Sequence, residues 1–220
     1  MAWLKRGMVL TMLLVGTMLA GGAGGCKSTY YNTWEKLGWE KRDILVDEVK
    51  DARDDQAAAK AQFQTTLERF QAITKFQGGA LEAQYKKLNS DYERSVERAD
   101  EVRKQIADVE EVAGDLFKEW RQELKQYESA DLRRASEQKL RETQGRYNQL
   151  LAAMKRAEAS MAPVLSRFKD HVLFLKHNLN AQAIASLQTT TAGIEADVAA
   201  LIKEMDASIA EANTFIAQMK

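Results

Sequence analysis

The chain holds one cysteine, Cys26, one proline, Pro163, and two histidines, His171 and His177. A lone cysteine excludes an internal disulfide framework and a cysteine-rich metal site. A single proline leaves long stretches free of the residue that most strongly interrupts helices. Glycine is scarce after residue 25: it occurs only at Gly38, Gly78, Gly79, Gly114, Gly145 and Gly193. A hairpin-rich sheet protein needs turn residues far more often than that. Charge of one sign is lacking too, with 32 basic against 32 acidic residues. No basic stripe is present for a nucleic acid, so none is expected as a partner. The signatures G-x-S-x-G, H-E-x-x-H and the glycine-rich phosphate loop are absent. The expectation is therefore a protein that is not an enzyme. No apolar run reaches the roughly 20 residues of a membrane-spanning helix. The N-terminal stretch, Met8 to Ala20, has 13.

What is present begins at that stretch. Lys5 and Arg6 precede it, and the small residues Gly21 to Gly25 follow. Charged start, short apolar centre and small-residue end form the pattern of a secretory signal peptide. The sequence Ala23-Gly24-Gly25-Cys26 then resembles the bacterial lipoprotein box, departing from it at Ala23, where Leu is usual. The resemblance implies cleavage before Cys26, a diacylglycerol on its thiol and an acyl chain on the new amine. These are the only non-protein groups expected; no cofactor and no metal is implied. Each buried CH₂ of such chains adds about 0.8 kcal/mol, and two or three chains hold a protein stably on a membrane. The expected location is the bacterial cell envelope, facing the periplasm. Lys27, rather than Asp, after the cysteine favours the outer membrane over the inner. Without residues 1–25 the chain keeps 30 basic and 32 acidic residues.

The rest of the chain is dominated by helical period. Apolar or small residues recur in steps of three and four at 34, 37, 44/45, 49, 52, 59, 63, 67, 70, 73 and 76, with Lys41 and Gln56 as polar intrusions. A second run covers 81, 85, 88, 92, 96, 99, 102, 106, 109, 113, 116, 120, 124 and 127. A third covers 132, 140, 147, 150/151, 154, 157, 161, 165, 168, 172, 175 and 179; a fourth covers 184, 187, 194, 198, 201, 205, 209, 212, 215/216 and 219. Such spacing keeps one helix face apolar, and its persistence over many turns argues for coiled-coil packing. Breaks fall at Gln77-Gly78-Gly79, a helix stop; at Ser129-Ala130-Asp131, which offers N-cap side chains; and at Asn178-Leu179-Asn180. The first three runs are each about 45 residues, or about 68 Å as helix, and the fourth is about 40. Near-equal lengths with short turns predict an all-α, elongated antiparallel bundle of about four long helices. The alternative has three helices, the third bent near Pro163; Pro163 either kinks that helix or stands in the first turn of a fresh one capped by Ser160. The domain expectation is a cleaved signal peptide at 1–25, a lipid-anchored linker at 26–32 and one helical bundle at 33–220.

Four features compete for a functional role. The aromatics Tyr30, Tyr31, Trp34 and Trp39 follow the anchor closely, where amphipathic rings suit a membrane surface. Trp34 also fits the start of the bundle core. Asp43, Asp47, Asp51 and Asp55 form an acidic ridge at i+4 spacing, which costs a few tenths of a kcal/mol per pair. Cross-helix pairing to Arg98, Arg103 and Lys104 is the expected compensation, with cation binding as the alternative. Val172-Leu173-Phe174-Leu175 is apolar almost all round, which predicts burial on several sides or a partner-docking patch. His171 and His177 lie six apart, about 240° around a helix, so they do not share a face for metal binding.

The segments "WEKLGWEKRDILVDEVKDARD", "FQGGALEAQY", "LFKEW", "APVL" and "VLSRFKDHVLFLKHNLNAQAI" together resemble a family of bacterial envelope lipoprotein-like proteins, known only as domain of unknown function 2959. The resemblance spans essentially the whole chain after the anchor. It implies a lipoprotein-like helical protein and brings no catalytic residues. The expected function is thus a lipid-anchored periplasmic coiled-coil scaffold or adaptor. It would bind the membrane through its anchor, and a protein partner or a second copy through its helices. The alternatives are a membrane-surface helical module and a cryptic metal binder.

Overall fold

The computed structural model describes residues 41–75 and 81–219. Among these residues five α-helices follow one another: α1, Lys41–Thr74; α2, Leu81–Glu123; α3, Ala130–His177; α4, Ala181–Gln188; and α5, Thr191–Met219. A 3₁₀ turn, Leu124–Gln126, closes α2. Among the described residues there is no strand.

The caps anticipated from composition form. The Ser129 side chain accepts the Leu132 N–H at the start of α3, meeting a donor that the first helical turn leaves unpaired. Asn178 ends α3, its backbone N–H bonded to the Leu175 carbonyl and its side chain to the Phe174 carbonyl. Asn180 opens α4 by accepting the Ala183 N–H at 2.9 Å. The expected stop at Gln77-Gly78-Gly79 lies outside the described residues.

Two expectations need correction. Pro163 sits inside an unbroken α3, and Ser160 caps no new segment: its hydroxyl donates back to the Ala157 carbonyl at 2.7 Å. Proline there leaves the Ala159 carbonyl without its helical donor. Both residues are exposed, so water can take that place. The fourth helix, conversely, is split. Thr189 and Thr190 interrupt it, and the hydroxyls of Thr190 and Thr191 both reach the Leu187 carbonyl, at 2.9 and 3.1 Å. Threonine hydroxyls that bond nearby carbonyls compete with the helical ladder, and here three stand in a row.

Side-chain partners fix the direction of each helix. From α1 to α5 the pairs are Arg53 with Asn213, Lys60 with Asp206 and Gln71 with Glu195, so numbers rise on one helix as they fall on the other. The same reversal links α1 to α2 through Lys41–Glu119, Glu48–Gln105 and Arg69–Asp91. It links α2 to α3 through Glu110–Lys155 and Phe117–Tyr147, and α3 to α5 through Arg156–Glu204 and Arg167–Asp197. The result is a closed antiparallel four-helix bundle of α1, α2, α3 and α5. The short α4 packs across α1 and α3 at one end. All described residues belong to one unit, Trp39–Lys220.

The core follows the helical period: Leu45, Phe63, Phe70, Ile106, Leu150, Met154, Met161, Leu201 and Met205 are all buried. Phe63 and Phe168 stack with ring centres 6.2 Å apart, joining α1 to α3 across the bundle. The inward face slips by one residue in several layers, Phe117 for Leu116 and Val164 for Leu165 among them. Thr66, Asp91 and Ser95 are buried where Leu67, Tyr92 and Val96 were expected, and Ser208 takes the place of Ile209.

Candidate functional site

Thr66, Asp91 and Ser95 form a polar cluster between α1 and α2. The Thr66 and Ser95 hydroxyls are 2.8 Å apart, and Gln62 Nε2 donates to the Asp91 carbonyl at 3.0 Å. The Asp91 side chain, 1% exposed, accepts Arg69 Nε at 2.9 Å and also pairs with Arg94. A buried carboxylate with this many donors is satisfied, and any register shift would strand it. Its role is to align α1 with α2. Sequence reasoning missed it because the contacts of Asp91 with Arg69 and of Ser95 with Thr66 cross from one helix to the other.

The acidic ridge is not neutralised as expected. The ion pairs found at its first half are local: Asp43 with Arg42, and Asp47 with Lys50. Arg98 turns to Glu101 on its own helix, and Arg103 to Asp100 and Glu158. Burial and the nearby Glu101 hold the Asp55 carboxyl above its ordinary pKa, against the opposing pull of Arg98. Among the described residues no group of three or more His, Cys, Asp or Glu is placed to hold a metal ion.

The end of the bundle formed by α3 and α4 has the shape of a binding site. Of the apolar quartet, Val172 and Leu175 are buried, three apart on one face of α3. Leu173 and Phe174 are 48% and 40% exposed, so the quartet is not enclosed on all sides. The Asn178-Leu179-Asn180 turn folds α4 back beside α3 and leaves Leu179 exposed as well. Between α3 and α4 opens a cleft of about 240 Å³, lined by Asp170, His171, Phe174, Ser186, Leu187 and Thr190. Its far rim came from no motif. The one hint in the sequence was the Asn-rich break that returns the chain.

His171 is held rigidly at the cleft wall. Its Nδ1 lies 2.6 Å from the Arg167 carbonyl, which can only accept, so that nitrogen carries hydrogen. Its Nε2 lies 2.8 Å from the Thr190 hydroxyl, and its ring meets Phe70 edge-on at 5.0 Å. Both ring nitrogens are thereby occupied in fastening α3 to the α4–α5 corner. His177 is exposed at the end of α3. Gln188 Nε2 caps α1 by donating to the Thr74 carbonyl at 2.7 Å, so this end is closed around the cleft.

The arrangement offers an apolar floor with a polar rim, suited to holding a side chain or short segment. Cys26 and the aromatics Tyr30, Tyr31, Trp34 and Trp39 lie outside the described residues. No described helix is long and apolar enough to cross a membrane.

Fold and site together define an all-α antiparallel bundle with one recessed apolar end. Residues 30–219 match the family described as "Protein of unknown function (DUF2959)", and the chain belongs to that family. The match leaves the lipoprotein-like segment around Cys26 outside it. Neither a curated protein nor a solved structure matches the chain.

Proposed function

We propose that this protein is a lipid-anchored periplasmic adaptor or scaffold. Cys26 holds it on the envelope, and the α3–α4 end presents Leu173, Phe174 and Leu179 to a protein partner. The observation that carries the reading is the exposure of those three side chains at one end of the bundle, with Phe174 lining the cleft. Exposed apolar residues gathered at a recess mark docking sites more than scattered ones do. The cleft lies at the end of α1 opposite Lys41, about 50 Å along the helix. The matched family is described only as of unknown function, and it indicates no catalytic activity.

The test is site-specific crosslinking in intact cells from a photoreactive residue at Phe174, with membrane fractions collected in parallel. A distinct protein adduct in the membrane fraction supports the adaptor reading. Adducts with other copies of the chain alone point to a homo-oligomeric rod. No adduct from Phe174 ends the docking proposal. Fatty-acid labelling that persists in a Cys26→Ser variant ends the anchoring one.

A further inference from the structure

The α2–α3 hairpin lies at the opposite end of the bundle from the cleft. The Lys41–Glu119 ion pair, at 2.7 Å, sets the first residue of α1 level with Glu119 of α2. Beyond Glu119, α2 continues to Glu123 and the 3₁₀ turn runs to Gln126. The tip therefore projects about 12 Å past the start of α1. Leu132 there is 61% exposed, the most exposed large apolar side chain among the described residues, and Tyr127 is 42% exposed. Leu124 is buried at the base of the tip and braces it.

Charge at the tip departs from the balance of the chain. Residues 121–141 hold six basic and four acidic side chains, whereas the whole chain is neutral. Two of the acidic ones, Asp131 and Glu137, are engaged by Arg134 and Arg133. Arg121, Lys125, Lys139 and Arg141 are exposed on this segment, as are Glu123 and Glu128.

We infer that this tip rests on the surface of an anionic phospholipid bilayer, with Leu132 and Tyr127 entering the interface and the basic side chains facing headgroups. The inference rests on the lipid anchoring of Cys26. Cys26 and Lys41 are separated by 15 residues of chain, which extend to at most about 50 Å. An anchored molecule thus holds this end of the bundle within that reach of its membrane. A fluid surface suits two separate projecting side chains. Leucine supplies apolar area, tyrosine favours the interface, and Lys and Arg stems reach up to headgroups. Two such residues would bind a membrane weakly from solution. Tethering makes the contact intramolecular and raises its effective concentration.

The test uses the full-length lipidated protein in vesicles of zwitterionic and anionic phospholipid. A Leu132→Cys variant carries an environment-sensitive fluorophore, since an acylated Cys26 leaves no other thiol. A Lys176→Cys variant reports from the opposite end. Vesicle flotation reads the anchor independently. The expected result is flotation, with blue-shifted emission and quenching by lipid-borne quenchers at 132 and not at 176, weaker in purely zwitterionic vesicles. Flotation with water-like emission at 132 overturns the tip contact and leaves the anchor standing. Equal quenching at 132 and 176 overturns it in favour of a bundle lying flat. Failure to float removes the anchor, and the tip contact with it.

Discussion

Gln56 shows how a single side chain can oppose its own fold. It is fully buried in α1, and neither its amide nitrogen nor its oxygen has a hydrogen-bond partner. Leaving such a group unpaired costs about 1–3 kcal/mol. Gln56→Leu is therefore expected to stabilise the protein by about 1–3 kcal/mol in urea unfolding; a loss of stability would show that the amide has a role that packing does not reveal. Ionisable groups give a second prediction. Burial, with Glu101, raises the Asp55 carboxyl above its ordinary 3.8. Just above that pH the folded chain keeps a proton that the unfolded chain has lost, so stability falls as pH rises through the window and then levels. Burial, with Glu110, pushes the Tyr147 hydroxyl from 10.0 up to about 12. Stability again falls with rising pH, now between 10 and about 12. Unfolding series across both windows are expected to flatten in Asp55→Asn and Tyr147→Phe, each compared with the parent chain. Gln56 was visible in the sequence as a break in the apolar pattern. Asp91 and Ser95 were not, because their partners Arg69 and Thr66 stand 22 and 29 positions away.

Among the helices, α3 and the α4–α5 pair make a contrast. One proline does not break α3, yet three threonines divide the last helix. In α3 the lost hydrogen bond faces water and the buried face from Leu140 to Leu175 continues past it. Packing outweighs a local penalty when the penalty falls on the solvated side. Pro163→Ala restores the missing donor without touching the core. It is expected to raise stability by about 1–3 kcal/mol in the same unfolding assay. An unchanged or lowered midpoint would mean that α3 depends on the proline's rigidity. The threonines act differently, since their hydroxyls replace the helical partners instead of merely omitting one. The period of the fourth run held a trace of this, with a step of seven between Leu187 and Ile194 where steps of three or four prevail.

The molecule as a whole is bound across its diagonal as well as around its ring. Phe63 of α1 stacks on Phe168 of α3, and Phe70 packs against His171. These contacts join two helices that are not neighbours in the antiparallel circuit. Phe63→Ala is expected to cost about 3–5 kcal/mol, because a large void forms in a layer shared by several helices. Circular dichroism and tryptophan fluorescence should report one coincident transition, as a single cooperative unit requires. Non-coincident transitions would show that the two ends of the bundle melt separately. The same geometry sets the cleft and the hairpin tip at opposite ends, which would let one end meet a membrane while the other meets a partner.

Period, charge mixing and cap residues sufficed to specify an all-α bundle and two of its turns, at Ser129 and at Asn178 to Asn180. Those signals are local: a helix face repeats every few residues, and a cap bonds three residues ahead. Packing alone chose between adjacent residues at the seam, placing Asp91 and Ser95 inside and Tyr92 and Val96 further out. It also turned Val172 and Leu175 inward, left Leu173 and Phe174 at the surface, and brought Ser186, Leu187 and Thr190 across to form the cleft. Each of these outcomes depends on atoms supplied by another helix, and a one-dimensional pattern carries no record of which helix that will be.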